Sequence, residues 1–194
     1  MKLVFATNNQ HKLKEARQIA PGLVIESLFD IGCEDELPET GQTLEQNAMQ
    51  KAFYVSEKYG VDCFSDDTGL EVEALNGEPG VYSARYSGRD ATSARNIEKL
   101  LREMKDTVNR NARFRTVIAL VVNGDKKLFE GEVRGRITEA VTGEGGFGYD
   151  PVFIPEGETR TFAEMSAGEK NHYSHRSRAL RAMLDYLEAS VLRG

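Results

Sequence analysis

The stretch Val61-Asp62-Cys63-Phe64-Ser65-Asp66-Asp67-Thr68-Gly69-Leu70 carries a short apolar approach into two adjacent carboxylates, a hydroxyl and a glycine. Such a run reads as a strand of an α/β sheet that stops at the acid pair, where folds of that class place their ligand crevice. Adjacent acids at a turn suit magnesium, which takes one or two carboxylates and leaves the rest of its shell to water and phosphate. The same residues also fit an ordinary acidic turn in which Asp66 or Thr68 caps a helix. What lies on either side decides between these readings.

Upstream, residues 2–7 read as a buried strand that begins almost at the first residue, and Asn8-Asn9 break it. Residues 11–20 then read as a helix stopped by Pro21-Gly22, and residues 23–28 as a second strand. An acidic loop covers 30–42. Thr43 and Gln46 have capping-box spacing, and the helix they open keeps Leu44, Ala48, Ala52, Val55 and Tyr59 on one stripe up to Gly60. Downstream, a Gly- and Pro-rich segment at 76–80 precedes a charged amphipathic helix over 90–105 with Ile97, Leu100, Leu101 and Met104. Residues 112–133 predict two strands joined at Asn123-Gly124, a strong hairpin signal. A loop with four glycines follows at 143–148, and a last helix from about Ser174 carries Leu180, Met183, Leu184, Leu187 and Val191. The order predicts a single domain, 1–194, of the α/β class, with a mixed sheet and an inserted hairpin.

Composition narrows the function. The net charge of −6, from 31 acids and 25 bases, opposes a duplex phosphate backbone and disfavours a nucleic-acid partner. A local basic pocket or a metal still allows a small phosphorylated substrate. No apolar run approaches membrane length and no signal-peptide pattern opens the chain; two cysteines read as inert thiols fit a reducing, cytoplasmic setting. Cys33 and Cys63 have neither metal-ligand spacing nor a disulfide framework.

Four constellations could carry chemistry. Thr7, Asn8, Asn9, Gln10, His11 and Lys12 follow the first strand and open a helix, whose N–H groups could meet an anion beside the lysine. The glycine spacing of a Walker A loop is missing, and a plain Asn cap with a solvated lysine fits as well. Glu39 precedes, and Lys51 lies within, the helix that starts near Thr43; Lys51, one turn beyond Asn47, either snorkels along the apolar stripe, the favoured reading, or points into a cleft. In Gly145-Gly146-Phe147-Gly148-Tyr149-Asp150-Pro151, an aromatic between glycines favours stacking on a flat ligand, with Asp150 offering acceptors beside it. Finally, Lys170 and Ser174-His175-Arg176 put cations near a helix start, which is costly against the dipole unless they meet an acceptor or ligand. A Ser174–His175 dyad is rejected, because neighbours in sequence project in different directions.

In this order, these motifs closely resemble the Ham1 or RdgB-like family of house-cleaning nucleoside triphosphate pyrophosphatases. The resemblance spans essentially the whole chain and rests on Ala6-Thr7-Asn8-Asn9 with Lys12, Glu39-Thr40-Gly41, residues 65–70, residues 145–151 and Ser174-His175-Arg176. The segment Pro79-Gly80-Val81-Tyr82-Ser83-Ala84-Arg85-Tyr86 matches as well, and Thr68 stands where many members have serine. The resemblance implies an elongated mixed sheet with flanking helices, two lobes around a central cleft, and a homodimer. It implies cleavage of inosine, deoxyinosine and xanthosine triphosphates (ITP, dITP, XTP) to the monophosphate and pyrophosphate, with Mg2+. Asp67 would be general base or metal ligand and Glu39 the second metal ligand. Residues 7–12, Lys51 and Lys170 would surround the triphosphate, Phe147, Gly148, Tyr149, Asp150, His175 and Arg176 the base, and Thr68 would also bind the substrate.

The residues agree with that chemistry. A phosphoanhydride hydrolase needs charge neutralised on its leaving group, hence lysines and a metal, and a carboxylate to orient or deprotonate water. Two alternatives use the same residues: a phosphatase that releases inorganic phosphate stepwise, and a nucleotide-binding protein without turnover, for which the acid pair would have no purpose.

Overall fold

The computed structural model describes residues 1–191 and is mixed α/β. Its strands are β1 (Lys2–Phe5), β2 (Val24–Glu26), β3 (Cys63–Val72), β4 (Pro79–Gly80), β5 (Asn111–Val122), β6 (Asp125–Ile137) and β7 (Phe153–Pro155). They hydrogen-bond in the order β2-β1-β3-β5-β6-β7, with β4 on β3. β1 runs parallel to both β2 and β3, whereas β4 and β7 are antiparallel to their partners. The helices are α1 (Gln10–Ile19), α2 (Leu44–Tyr59), α3 (Ser93–Glu103), α4 (Ala167–Tyr173) and α5 (His175–Val191).

The local signals explain most boundaries. Asn9 caps α1, its side-chain oxygen accepting from the N–H groups of His11 and Lys12 at 3.0 and 3.2 Å. Thr43 caps α2 by accepting from Gln46 N–H at 3.2 Å, but only half of the predicted box forms, because the Gln46 amide oxygen accepts from Gln42 N–H instead. Gly60, at φ 63°, ends that helix. Asn123 and Gly124 both take positive φ, 50° and 84°, as a two-residue hairpin turn requires.

Beyond the short strands β4 and β7, for which no strand is predicted, two elements differ from the prediction. β3 does not stop at the acid pair but runs on to Val72, because its second half pairs with β4, Leu70 opposite Gly80 and Glu71 opposite Pro79. Gly69 permits this approach, since a Cβ there would lie 2.7 Å from the Gly80 carbonyl oxygen. The other difference is α4, for which no helix is predicted; Ser166 and Glu169 close a complete capping box at its start. Val191, the last residue of the predicted apolar stripe, lies outside the described side chains.

The chain divides into two compact units. Unit 1 comprises Met1–Asp67, Thr116–Gly131 and the chain from Arg176; unit 2 comprises Thr68–Arg115 and Glu132–His175. Each has its own core. That of unit 1 gathers Leu3, Phe5, Leu13, Phe64, Ile118, Leu120, Leu180 and Met183, with Phe5 and Phe64 stacked at 4.4 Å. That of unit 2 gathers Leu70, Val72, Leu100, Met104, Phe114, Ile137, Phe153 and Phe162. Among the described residues, no helix is long and apolar enough to cross a membrane.

Candidate active site

In unit 1 the acid pair is the centre of a charged constellation. Strand alternation sends the two carboxylates in opposite directions, so they meet different partners. Asp66 is 1% exposed and is gripped from two sides, by Lys12 Nζ at 2.9 Å and Arg176 Nε at 3.0 Å. Burial alone would raise its pKa, but Lys12, Arg176 and Lys51 outweigh burial and hold it well below the ordinary carboxylate range. Arg176, itself 1% exposed, also ion-pairs with Glu15 on α1.

Asp67 is 8% exposed and more lightly held. Asn47 Nδ2 donates to it at 3.1 Å, and Lys51 Nζ stands 3.8 Å from its other oxygen. Burial raises its pKa, and the nearby Glu39 carboxylate pushes the same way, against Lys51 and Lys12. Lys51 joins the two acids. It ion-pairs with Glu39 and donates to the Asp66 carbonyl at 2.8 Å. Burial pulls its pKa down, but Asp67, Glu39 and Asp66 together carry it above the ordinary lysine value. The snorkelling reading of Lys51 is therefore corrected: at 5% exposure its ammonium is not in water but between carboxylates from distant parts of the chain.

The expectation for the start of α1 changes too. Asn9 itself occupies the His11 and Lys12 N–H groups, Thr7 Oγ1 accepts from Asn9 N–H at 3.2 Å, and Asn8 Nδ2 donates to the Asp35 carbonyl. Gln10 and His11 are exposed at the helix start. The contribution of this segment to the acid pair comes through Lys12, whose pKa burial lowers despite the attraction of Asp66.

Unit 2 holds the second constellation. Asp150 is buried and its Oδ2 accepts from Phe147 N–H at 2.8 Å and Lys170 Nζ at 2.6 Å, closing the loop on itself. Gly146, at φ 70°, admits that carboxylate; a Cβ there would come within 2.2 Å of it. The Lys170 ammonium lies 4.6 Å from the centre of the half-buried Phe147 ring. Gly148 takes φ 61°, Tyr149 is buried, and the His175 ring stacks on Phe114 at 4.7 Å. Thr68, half-buried on β3, belongs to this unit.

Two residues thus group differently from expectation. Lys170, expected around the triphosphate, is held by Asp150 beside Phe147; Arg176, expected at the base, is held by Asp66 and Glu15. In both cases the nearest carboxylate decides, since a buried cation must be paired. Two contributors were not singled out from the sequence. Glu15 had only its acidity on α1 to announce it. Asn47, a polar residue four before Lys51 on the same helical face, carried a better signal: it bridges Asp67 and Gly41 N–H, the latter at 2.8 Å. Among the described residues, no group of three or more His, Cys, Asp or Glu could hold a metal. The donor set available to one is the Glu39 and Asp67 pair that converges on the Lys51 cation, which suits a hard ion completed by water and phosphate.

Comparisons with known proteins agree in scope. The model of the Ham1 family matches residues 3–186. A dITP/XTP pyrophosphatase of Flavobacterium psychrophilum is 52% identical over 97% of this chain and 100% of its own. That of Bacillus subtilis is 44% identical over 96% of each. The structure of the Ham1 protein of Staphylococcus aureus, 38% identical, superposes with a TM-score of 0.88 over 98% of this chain and 100% of that one. With a matching family model along nearly its full length and relatives at about half identity, the chain belongs to the Ham1 family.

Proposed function

We propose that this protein hydrolyses non-standard purine nucleoside triphosphates, ITP, dITP and XTP, to the monophosphate and pyrophosphate, removing them from the nucleotide pool. The relatives named as dITP/XTP pyrophosphatases support the reaction class. The observation that carries the mechanism is the unequal treatment of Asp66 and Asp67. A carboxylate locked between Lys12 and Arg176 has no capacity left to take a proton, so Asp66 is the scaffold. Asp67, with its raised pKa, is the general base that takes the proton of the water attacking the α-phosphate. Asn47 fixes the orientation of Asp67.

Lys12 and Lys51 supply positive charge for the triphosphate, and residues 7–11 line it. Glu39 and Asp67 would hold Mg2+, which when bound neutralises charge on the phosphates and on departing pyrophosphate. Phe147 stacks on the base, while Lys170, His175 and the backbone N–H groups of Gly148 and Tyr149 provide donors for the 6-oxygen. A 6-amino group offers a donor there and is refused. Hydrogen-bond recognition can discriminate by ~10⁴–10⁵, against ~10–200-fold for shape alone, which is what a cell rich in ATP requires. The reading takes 1–194 as one functional domain acting as a cytoplasmic homodimer on a small nucleotide, with neither nucleic acid nor membrane as partner.

Substituting Glu39 tests the metal assignment. Glu39→Gln is expected to raise the magnesium concentration for half-maximal rate at least ~10-fold, and an unchanged magnesium dependence would remove Glu39 from that role.

A further inference from the structure

We propose that Ser83 and Asn96 are positioning residues for purine recognition, acting through Tyr149 on the 147–150 loop; this rests on the reading that the loop holds the base. The turn Ser83–Arg85 follows β4, and nothing in the mechanism above uses it. Yet the Ser83 carbonyl accepts two hydrogen bonds from distant side chains, Tyr149 Oη at 2.8 Å and Asn96 Nδ2 at 3.2 Å. Its hydroxyl accepts from Leu70 N–H at 2.9 Å and donates to the Gly80 carbonyl at 2.6 Å, tying the turn to β3 and β4.

Asn96, on α3, spends its whole amide on the same turn. Nδ2 also donates to the Ala84 carbonyl at 3.1 Å, and Oδ1 accepts from Ser87 N–H and Oγ at 2.8 and 2.7 Å. A helical asparagine 4% exposed with two donors and two acceptors all satisfied holds its partner segment in one place, because any shift leaves a buried polar group unpaired. The Ser83 carbonyl is thereby presented to Tyr149 in a fixed position.

Tyr149 lies between Phe147 and Asp150, the residues that define the loop. The contacts within the loop, Phe147 N–H and Lys170 to Asp150, set its local shape. The Tyr149 hydroxyl bond sets where that shape sits relative to α3 and the 83–85 turn. Losing it leaves a well-formed loop in a less defined place. That loosens ground-state binding of the base without touching the chemistry at Asp67.

The test is a set of steady-state ITP assays, with pyrophosphate as readout, on Tyr149→Phe, Ser83→Ala and the double variant. Tyr149→Phe and Ser83→Ala should each raise KM for ITP about 2–10-fold, the size of one hydrogen bond, with the effect on kcat smaller. If Ser83 acts through Tyr149, Ser83→Ala adds little in the Tyr149→Phe background. Rates are referred to folded protein by circular dichroism, so that loss of stability alone leaves KM where it was. Unchanged KM in Tyr149→Phe, or fully additive effects in the double variant, overturns the inference while the functional reading stands. No pyrophosphate from the unaltered enzyme overturns both.

Discussion

Asp66 and Asp67 are the same residue type, adjacent on one strand, and their surroundings push their pKa values in opposite directions. Environments that separate two carboxylates in this way assign their roles. Asp67→Asn should lower kcat by about 10²–10⁴ while nucleotide affinity stays within a few-fold, checked by turnover beside equilibrium binding; near-normal turnover would take Asp67 out of the mechanism. The pH dependence has a definite sign. Asp66, depressed in the fold, contributes stability that is present above its ordinary value of 3.8 and is lost as pH falls towards its folded value. Asp66→Asn should therefore flatten the fall in urea midpoint below that pH, and an unchanged acid slope would contradict the pairing. Asp67 has the opposite sign: raised in the fold, it costs stability as pH rises above its ordinary value of 3.8. Phe147→Ala should raise KM more than it lowers kcat; a loss confined to kcat would contradict stacking. At this scale the sequence exposed the reacting groups but not their pairing. Lys51 and Arg176 find carboxylates far away in the chain, at Glu39, Asp67, Asp66 and Glu15, and no local spacing encodes those meetings.

Elements were legible where their signals are local. The Asn9 and Thr43 caps, Gly60 and the Asn123-Gly124 turn all act within a few residues of where they stand. Thr43→Ala should cost about 0.5–2 kcal/mol in chemical denaturation. β3 was harder, because Thr68-Gly69 looks like a turn and only pairing with β4 keeps the chain extended. The helix α4 could have been found from Ser166 and Glu169. Gly135 makes the same point as Gly69: it pairs opposite Pro155, and a Cβ there would stand 2.2 Å from the Ile154 carbonyl oxygen. Backbone cannot yield as a side chain can, so Gly135→Ala should lower the melting temperature clearly. A neutral substitution would contradict the β6–β7 register.

For the molecule as a whole, the order of strands and helices indicated a mixed α/β chain. The family resemblance implied two lobes, but which segments build each core was not legible, since each collects segments that are separated in sequence and the partition depends on which strands pair. That division sorts the functional residues: the acid pair and its lysines lie in unit 1, the Phe147–Asp150 loop with Lys170 and His175 in unit 2. The most direct measurement is product analysis with ITP and magnesium beside equal ATP and GTP. ITP is expected to give inosine monophosphate and pyrophosphate, with little product from ATP. Inorganic phosphate as the first product, equal rates on all three nucleotides, or no product would contradict it.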